Sequence, residues 1–260
     1  MIKAKKSLGQ NFLIDQNIID KIINTVEIKD KPILEIGPGT GNLTEGILRK
    51  NPKKVLVVEK DENLSGLLKE KFKKKIEIIN KDILKINENL LSDQTLTVFG
   101  NLPYNISTEI LCKWILNLKE KIWFDYLILM FQKEVADRII SDFNTKSYGR
   151  LTILANWRLN IKKICDVNPV SFQPKPKIYS SVLFFEPKKE FFLLKNSKNL
   201  EKITRTFFMH RRKMIKKPYY QLFNNNTIAS KVGIDLNSRP QNLDFETYFK
   251  LTKEYENLRS

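Results

Sequence analysis

The chain of 260 residues is 42% hydrophobic, enough for one large domain or for a medium domain with a smaller one. Its 46 Lys and Arg residues outnumber its 29 Asp and Glu residues, and the formal charge of +17 is explained by a polyanionic partner, a membrane surface or a role in solubility. One histidine and two cysteines disfavour a zinc site and catalysis of the Ser-His-Asp or Cys-His type. No uncharged apolar stretch approaches about 18 residues, and the N-terminus lacks the apolar core of a secretory signal, so we expect a cytoplasmic protein without a membrane segment.

Strand-like apolar runs recur along the first half of the chain, several of them apolar at consecutive positions, as strands covered on both faces require. Helical patterns lie between them, and we expect Asp15 to cap the first, around residues 18–26. The alternation predicts an α/β domain with a doubly wound, mostly parallel sheet that binds ligands beyond the carboxyl ends of its strands. The runs are KPILEI (31–36), KVLVVE (54–59), KIEIIN (75–80), TLTVFG (95–100) and DYLILMF (125–131).

The pattern changes at residues 164–187, where two β-branched and aromatic runs flank a proline-rich loop. Such runs predict an antiparallel pair that closes the edge of the sheet. After Pro187 the apolar residues come in threes and fours, as in helices. The sequence therefore predicts a first domain at residues 1–187 and a small all-helical domain at residues 188–260.

A glycine-rich turn joins the first of these strands to a helix. In ILEIGPGTGNLT (33–44), Gly37, Gly39 and Gly41 allow a tight turn and a close approach of a ligand to the backbone. The spacing is G-x-G-x-G rather than the G-x-G-x-x-G of dinucleotide-binding turns, and no Lys-Ser or Lys-Thr follows as in a P-loop. The spacing therefore disfavours NAD, and the turn is not a P-loop.

Acidic residues end or follow two further strands. Glu59 lies twenty residues after Gly39, where a carboxylate can accept hydrogen bonds from both ribose hydroxyls; the alternative is a surface charge. Asp82 follows the third strand, where it could accept from an exocyclic amine of adenine or cap a helix. The coincidence at three strand ends favours the binding interpretation.

Together, E-x-G-x-G-x-G (35–41), Glu59 and Asp82 resemble motifs of the S-adenosylmethionine-dependent methyltransferases. The resemblance implies a Rossmann-like class I methyltransferase sheet, with S-adenosylmethionine as cofactor, S-adenosylhomocysteine as product and no metal. Glu35 fits the same pattern, and carboxylates near a cationic sulfonium are favourable.

The fourth strand ends in NLPY (101–104), which is similar to the (Asn/Asp)-Pro-Pro-Tyr signature of enzymes that methylate exocyclic amines of bases. Adenine N6 is a poor nucleophile because its lone pair is delocalised into the ring. The side-chain oxygen of Asn101 and the carbonyl of Leu102 can accept its two hydrogens, while Pro103 fixes the turn. Tyr104 would stack on the flipped base. Such a transfer needs orientation more than a general base.

Longer matches resemble the family of small-subunit (16S) ribosomal RNA adenine N6,N6-dimethyltransferases across nearly the whole chain. The resemblance implies dimethylation of two adjacent adenosines in the hairpin near the 3′ end of 16S ribosomal RNA, late in ribosome biogenesis. The implied partner is 16S ribosomal RNA within an immature 30S subunit, and nothing demands more than a monomer. The matching segments are KSLGQNFLID, GNLPYNIST, FQPKPKIYSSV and FFMHRRKMI.

The same resemblance assigns further residues to the site. It implies that Phe172 closes the second face of the base, although a core phenylalanine is an equal alternative. The residues implied to bind the cofactor are Asn11, Leu13, Gly37, Gly39, Glu59, Asp82 and Asn101.

A basic segment in the helical domain, RRKMIKKPYY (211–220), interleaves cations with apolar residues. If helical, it would present a phosphate-facing side and a packed side, so Arg211, Arg212 and Lys213 are candidate RNA contacts. The alternative is an ordinary solvated basic face.

Two rival functions share parts of this pattern. One is a 23S ribosomal RNA adenine methyltransferase of the macrolide-resistance type, which the long GNLPYNIST and PKPKIYSSV matches disfavour. The other is a non-catalytic RNA-binding assembly factor, which the intact Gly37, Glu59 and Asn101 disfavour.

Overall fold

A computed structural model describes residue 5 and residues 8–118, 122–224 and 226–259. Two residues of the KSLGQNFLID match, Lys6 and Ser7, lie outside the described residues. The chain forms two compact units. The first unit takes its residues from Met1–Leu111, Lys119–Ala136 and Ile161–Pro187, and the second from Cys112–Leu118, Asp137–Asn160 and Lys188–Ser260.

Nine strands are present in the described residues, in a seven-stranded sheet of order β4-β3-β2-β5-β6-β9-β7 and a two-stranded pair, β1-β8. Neighbours from β4 to β6 are parallel, and β9 runs antiparallel to β6, so the predicted mostly parallel sheet is confirmed. The strands are β1 (Phe12–Leu13), β2 (Pro32–Ile36), β3 (Lys54–Val58), β4 (Glu77–Ile79), β5 (Leu96–Asn101), β6 (Phe124–Gln132), β7 (Leu159–Val167), β8 (Phe172–Gln173) and β9 (Ser180–Pro187).

Helices alternate with the parallel strands and then dominate the C-terminal part of the chain. Asp15 caps the first of them by accepting from the backbone N–H groups of Asn17 and Ile18, as predicted. The helices are α1 (Gln16–Ile23), α2 (Asn42–Leu48), α3 (Glu62–Phe72), α4 (Ser107–Leu116), α5 (Lys133–Ile139), α6 (Arg150–Arg158), α7 (Ser197–Phe208), α8 (Lys216–Phe223), α9 (Thr227–Val232) and α10 (Phe245–Asn257). No described helix is long and apolar enough to cross a membrane.

One hydrophobic core cluster of the first unit joins the sheet to the first three helices. Ile19 of α1, Ile47 of α2 and Leu68 of α3 are buried in one cluster with Val57 of β3 and Phe99 of β5. Because β2, β3 and β5 are parallel, their carboxyl ends lie at the same edge of the sheet, where the polar residues that follow them come together.

The second unit is helical at its centre, where α10 packs against α7 and α9, and α6 packs against α7. It also includes residues 112–118 and 137–160, so a single boundary at Pro187 does not reproduce the division of the chain. The reason is that α6, which precedes Pro187, packs on α7, which follows it. Such a long-range contact leaves no signal in local composition.

Residues 211–220 are helical only from their sixth residue onward, so the helical arrangement considered for the basic segment applies to its second half alone. Residues 209–213 form turns, and α8 begins only at Lys216. Pro218 has no N–H, and in a helix its ring would collide with the carbonyl four residues earlier, so it fits only in the first turn. Met214, expected on the packed side, is 57% exposed.

We predict that Glu256→Ala destabilises the second unit. The buried Glu256 carboxylate accepts from the backbone N–H groups of Lys195 and Asn196, at 2.9 Å each, just before α7 begins. Its loss would leave these donors unsatisfied, lowering the free energy of unfolding by about 2–3 kcal/mol, measured by urea denaturation. Glu246→Ala removes an exposed carboxylate from the same helix and should change little. Equal effects of the two substitutions would contradict the prediction.

Candidate active site

A cavity of about 270 Å³ opens at the carboxyl edge of the parallel strands in the first unit. It is lined by the N-terminal segment before α1, the glycine turn after β2, and the residues that follow β3, β4 and β5. The sequence-predicted residues that line it are Asn11, Leu13, Gly37, Gly39, Glu59, Asp82, Asn101, Leu102, Pro103 and Tyr104.

The glycine turn brings the backbone to the cavity in conformations that other residues rarely adopt. Gly39 and Gly41 have φ angles of +58° and +82°. A Cβ atom on Gly39 would lie 2.6 Å from the ring of Phe12, and one on Gly41 would lie 2.5 Å from the ring of Phe72. Both glycines are therefore required by backbone geometry and by close packing.

Glu35 contributes a buried carboxylate to the cavity wall. One oxygen, Oε2, accepts from the hydroxyl of Thr44 at 2.6 Å, and Oε1 is buried without a hydrogen-bond partner. Burial raises the pKa of Glu35 to about 8. In the sequence, Glu35 stood out only as the first residue of the E-x-G-x-G-x-G motif. The feature that could have identified it as a site residue is a carboxylate within an otherwise apolar strand.

Glu59 is buried at the end of β3, which excludes the alternative of a surface charge. Its Oε2 accepts from the N–H of Gly39 at 3.3 Å, and its Oε1 accepts from the N–H of Asp61 at 2.9 Å. Burial raises its pKa. Each carboxylate oxygen keeps a further lone pair, so Glu59 can still accept from a ligand in the cavity.

Asp82 takes the capping role that its sequence position left open, and it also lies where a ligand in the cavity can reach it. It accepts from the N–H of Leu84 at 3.0 Å and so caps the short 3₁₀ helix Ile83–Lys85, and it also lines the cavity. Its Oδ2 accepts from the Lys60 ammonium at 2.8 Å, which lowers the pKa of Asp82. Asp82 is therefore ionised and held in position.

The NLPY turn presents polar groups in a fixed orientation. The side-chain nitrogen of Asn101 donates to the carbonyl of Asn11 at 2.8 Å, which leaves the amide oxygen as the acceptor. The hydroxyl of Tyr104 lies 2.6 Å from the hydroxyl of Ser180, and burial raises the pKa of Tyr104. This hydrogen bond fixes the hydroxyl end of the Tyr104 ring.

Residues without an assigned role in the sequence hold the N-terminal segment over the cavity. Asn42 donates from its side chain to the carbonyl of Leu13 at 2.8 Å. Asp61 accepts from the side chains of Gln10, at 3.1 Å, and Lys5, at 2.9 Å. The sequence shows only that Asn42 and Asp61 are polar. Their partners could not be predicted, because each contact joins distant parts of the chain.

Phe172 is not among the residues that line the cavity. Its side chain is 3% exposed and lies in the apolar core with Leu13, its partner in the pairing of β1 with β8. The structure therefore places Phe172 in the core position that the sequence left open as an alternative.

The basic segment contributes to a cavity of about 1020 Å³ in the second unit, here named the basic groove. Arg211 does not line it: its Nε donates to Gln241 Oε1 and its Nη2 to the carbonyl of Thr145, at 3.2 Å each. The cationic or titratable residues that line the basic groove are His210, Arg212, Lys213, Lys216, Lys217 and Arg239. Lys216 and Lys217 belong to the predicted basic segment but were not named as RNA contacts, and Arg239, which was not predicted, comes from a separate loop.

The described part of the chain holds no cluster of His, Cys, Asp and Glu residues suited to a metal ion. The polar groups that line the cavity of the first unit include carboxylates, the Asn101 amide and backbone groups. These groups can accept hydrogen bonds from an organic ligand or donate hydrogen bonds to it.

Comparisons with known proteins agree with this geometry. Curated relatives named ribosomal RNA small subunit methyltransferase A include one from Pelagibacter ubique (strain HTCC1062), 65% identical over 99% of both chains. Another, from Wolbachia sp. subsp. Drosophila simulans (strain wRi), is 40% identical over 98% of this chain and 95% of its own.

Solved structures support the same fold. A dimethyladenosine transferase from Plasmodium falciparum superposes with a TM-score of 0.78 and 27% identity, covering 95% of this chain and 98% of its own. The 23S rRNA methyltransferase ErmE superposes with a TM-score of 0.70 and 23% identity, covering 95% and 100%. The predicted α/β methyltransferase fold is confirmed. The sequence model for ribosomal RNA adenine dimethylase matches residues 1–257, and the chain belongs to this enzyme family.

Proposed function

We propose that this ribosomal RNA methyltransferase dimethylates N6 of two adjacent adenosines in the hairpin near the 3′ end of 16S ribosomal RNA, within an immature 30S subunit. The observation that carries the proposal is the Asn101 amide, which is fixed by Asn11 and lines, with Tyr104, a cavity that also contains carboxylates. The names of the 65% and 40% identical relatives support the small subunit as the substrate. We also propose a cytoplasmic monomer that acts late in subunit assembly.

The cavity fits S-adenosylmethionine as cofactor. Glu35 Oε1, buried and unpartnered, would accept from the ammonium group, and Glu59 would accept from the ribose hydroxyls. Gly37 and Gly39 line the cavity with backbone that carries no Cβ, which suits a ligand lying against the turn. When bound, this cofactor supplies an electrophilic methyl group. We propose that no metal takes part.

The residues of NLPY orient the nucleophile. The Asn101 amide oxygen and the Leu102 carbonyl would accept the two hydrogens of adenine N6, while Tyr104 stacks on the flipped base. Because the Asn101 nitrogen and the Tyr104 hydroxyl are already bound to the protein, little orientational freedom is lost when the base arrives.

Charges are divided between two parts of the chain. The cavity carries Glu35, Glu59 and Asp82 in a protein of net charge +17, which favours a cationic cofactor there. The basic groove contains no acidic residue among those that line it, which favours RNA phosphates. Phosphates are therefore disfavoured at the carboxylates that serve the cofactor.

The substrate can be identified directly. Incubating the protein with labelled S-adenosylmethionine and immature 30S particles should label two adjacent adenosines near the 3′ end of 16S ribosomal RNA, mapped by mass spectrometry. Label found only on large-subunit RNA would reject the proposed substrate in favour of the 23S alternative. RNA binding without any label would favour the non-catalytic assembly factor.

We predict that Asn101→Ala and Tyr104→Ala each lower kcat for methyl transfer by about 100-fold or more, because the amine loses its acceptor or its stacking partner. RNA binding, measured by filter retention, should change little. Tyr104→Phe keeps the ring and loses only the contact with Ser180, so its kcat should fall by no more than about tenfold. A large loss in Tyr104→Phe equal to that in Tyr104→Ala would reject a stacking role.

We predict that cofactor binding below pH 8 releases a proton from Glu35. The pKa of about 8 in the buried carboxyl would fall beside a cation, so the contribution of Glu35 to cofactor affinity should rise with pH up to about 8. Calorimetry in buffers of different ionisation enthalpy measures the released proton. Glu35→Gln removes this titration while the amine of the cofactor titrates equally in both proteins, so the released fraction should fall. Equal release from both proteins would contradict the assignment.

We predict that Arg212→Ala with Lys213→Ala weakens RNA binding and lowers the slope of log Kd against log salt by about 1.5. The exposed pair Lys74→Ala with Lys75→Ala removes the same charge outside the basic groove and should leave the slope unchanged. Arg211→Ala should lower the melting temperature instead, since Arg211 links Gln241 to Thr145. Equal slopes for the two double variants would show that the groove is not a contact surface.

A further inference from the structure

Three large apolar side chains of the first unit are exposed next to one another in the backbone network that surrounds β1 and β8. Ile14, Val170 and Tyr179 are 48%, 61% and 50% exposed. The N–H of Ile14 donates to the carbonyl of Ser171 at 2.9 Å, so Ile14 lies beside the residue that follows Val170. We name these three residues the apolar strip.

The side chain of Asn168 links two residues of the apolar strip, Val170 and Tyr179. The Asn168 amide accepts from the N–H of Val170 at 3.0 Å and donates to the hydroxyl of Tyr179 at 3.3 Å. The Tyr179 carbonyl also accepts from the N–H of Lys133, at 2.9 Å. Tyr179 is therefore tied at its backbone and at its hydroxyl while half of its surface stays open, which is the arrangement of a preformed stacking platform.

The apolar strip adjoins residues of the candidate active site at two points along the chain. Leu13, which lines the cavity, immediately precedes Ile14. Ser180, whose hydroxyl contacts that of Tyr104, immediately follows Tyr179. A polymer that places one unit against Tyr104 would therefore pass its next unit close to the apolar strip.

The charges around the apolar strip suit a polyanion. Lys175 and Lys177 are exposed in the loop that leads to Tyr179. Residues 168–185 contain no Asp or Glu, and Asp15, which follows Ile14, has both carboxylate oxygens engaged, one by backbone N–H groups at the start of α1 and the other by the hydroxyl of Ser171. An aromatic face beside cations is the combination that binds single-stranded nucleic acid, where bases stack and phosphates are neutralised. A protein partner would be expected to use the apolar residues without needing the lysines.

We infer that the apolar strip binds the nucleotide next to the target adenosine. Its base stacks on Tyr179, packed by Val170 and Ile14, and its phosphate lies near Lys175 or Lys177. The inference rests on the proposed function, because it requires an adenosine flipped against Tyr104 within a single-stranded segment of the RNA. When the first of two adjacent adenosines is being methylated, the second would be bound at the apolar strip.

The test compares Tyr179→Ala, Leu, Phe and Trp, with initial rates of methylation measured against the concentration of immature 30S particles. Stacking requires a planar ring, so Ala and Leu should raise the KM for particles about tenfold, and Phe and Trp should restore it toward the wild-type value. The cofactor Kd should stay constant throughout. Leu90→Ala, which trims an 82% exposed leucine outside the apolar strip, serves as the control for general surface effects.

The outcomes separate the two proposals. A wild-type protein that does not label the particles overturns the proposed function, and the inference falls with it. An active wild type with an unchanged KM in Tyr179→Ala overturns the apolar strip alone. Rescue by Leu as well as by Phe overturns base stacking and indicates an apolar protein contact in its place. Loss in Ala and Leu with rescue only by planar rings supports the inference.

Discussion

The hydrogen bond from the Asn101 side chain to the carbonyl of Asn11 joins the end of β5 to the N-terminal segment, ninety residues away. It fixes which end of the amide faces the cavity, and with the contact between Asn42 and Leu13 it holds that segment over the glycine turn. The position of the N-terminal segment along the cavity and the orientation of the Asn101 amide oxygen therefore depend on the same hydrogen bond. A site that works by orientation rather than by a general base needs this arrangement before the substrate arrives.

Burial determines the chemistry of the carboxylates. Glu35 and Glu59 have raised pKa values because they are removed from water, whereas the Lys60 ammonium lowers the pKa of Asp82. A buried carboxylate without a cationic neighbour is unfavourable, and a positively charged ligand relieves the cost. The cavity is thus arranged to gain from a cationic cofactor in a chain whose overall charge favours RNA.

The exposed cations differ in role according to their partners. Arg211 is committed to Gln241 and Thr145, whereas Arg212 and Arg239 line the basic groove. In the first unit, Lys175 and Lys177 lie in the loop that leads to the half-exposed ring of Tyr179, rather than in a groove. Surface charge alone does not separate these roles; the hydrogen bonds of each side chain do.

The sequence by itself determined the order of strands and helices and the positions of Gly37, Glu59, Asp82 and Asn101 at strand ends, because alternation and turn chemistry are local. Parallel strands then bring their carboxyl ends to one edge, so the cavity followed from the same pattern. Only the tertiary structure placed Phe172 in the core, and only it grouped residues 112–118 and 137–160 with the C-terminal helices. These outcomes depend on packing between segments far apart in the chain, which spacing along the sequence does not encode.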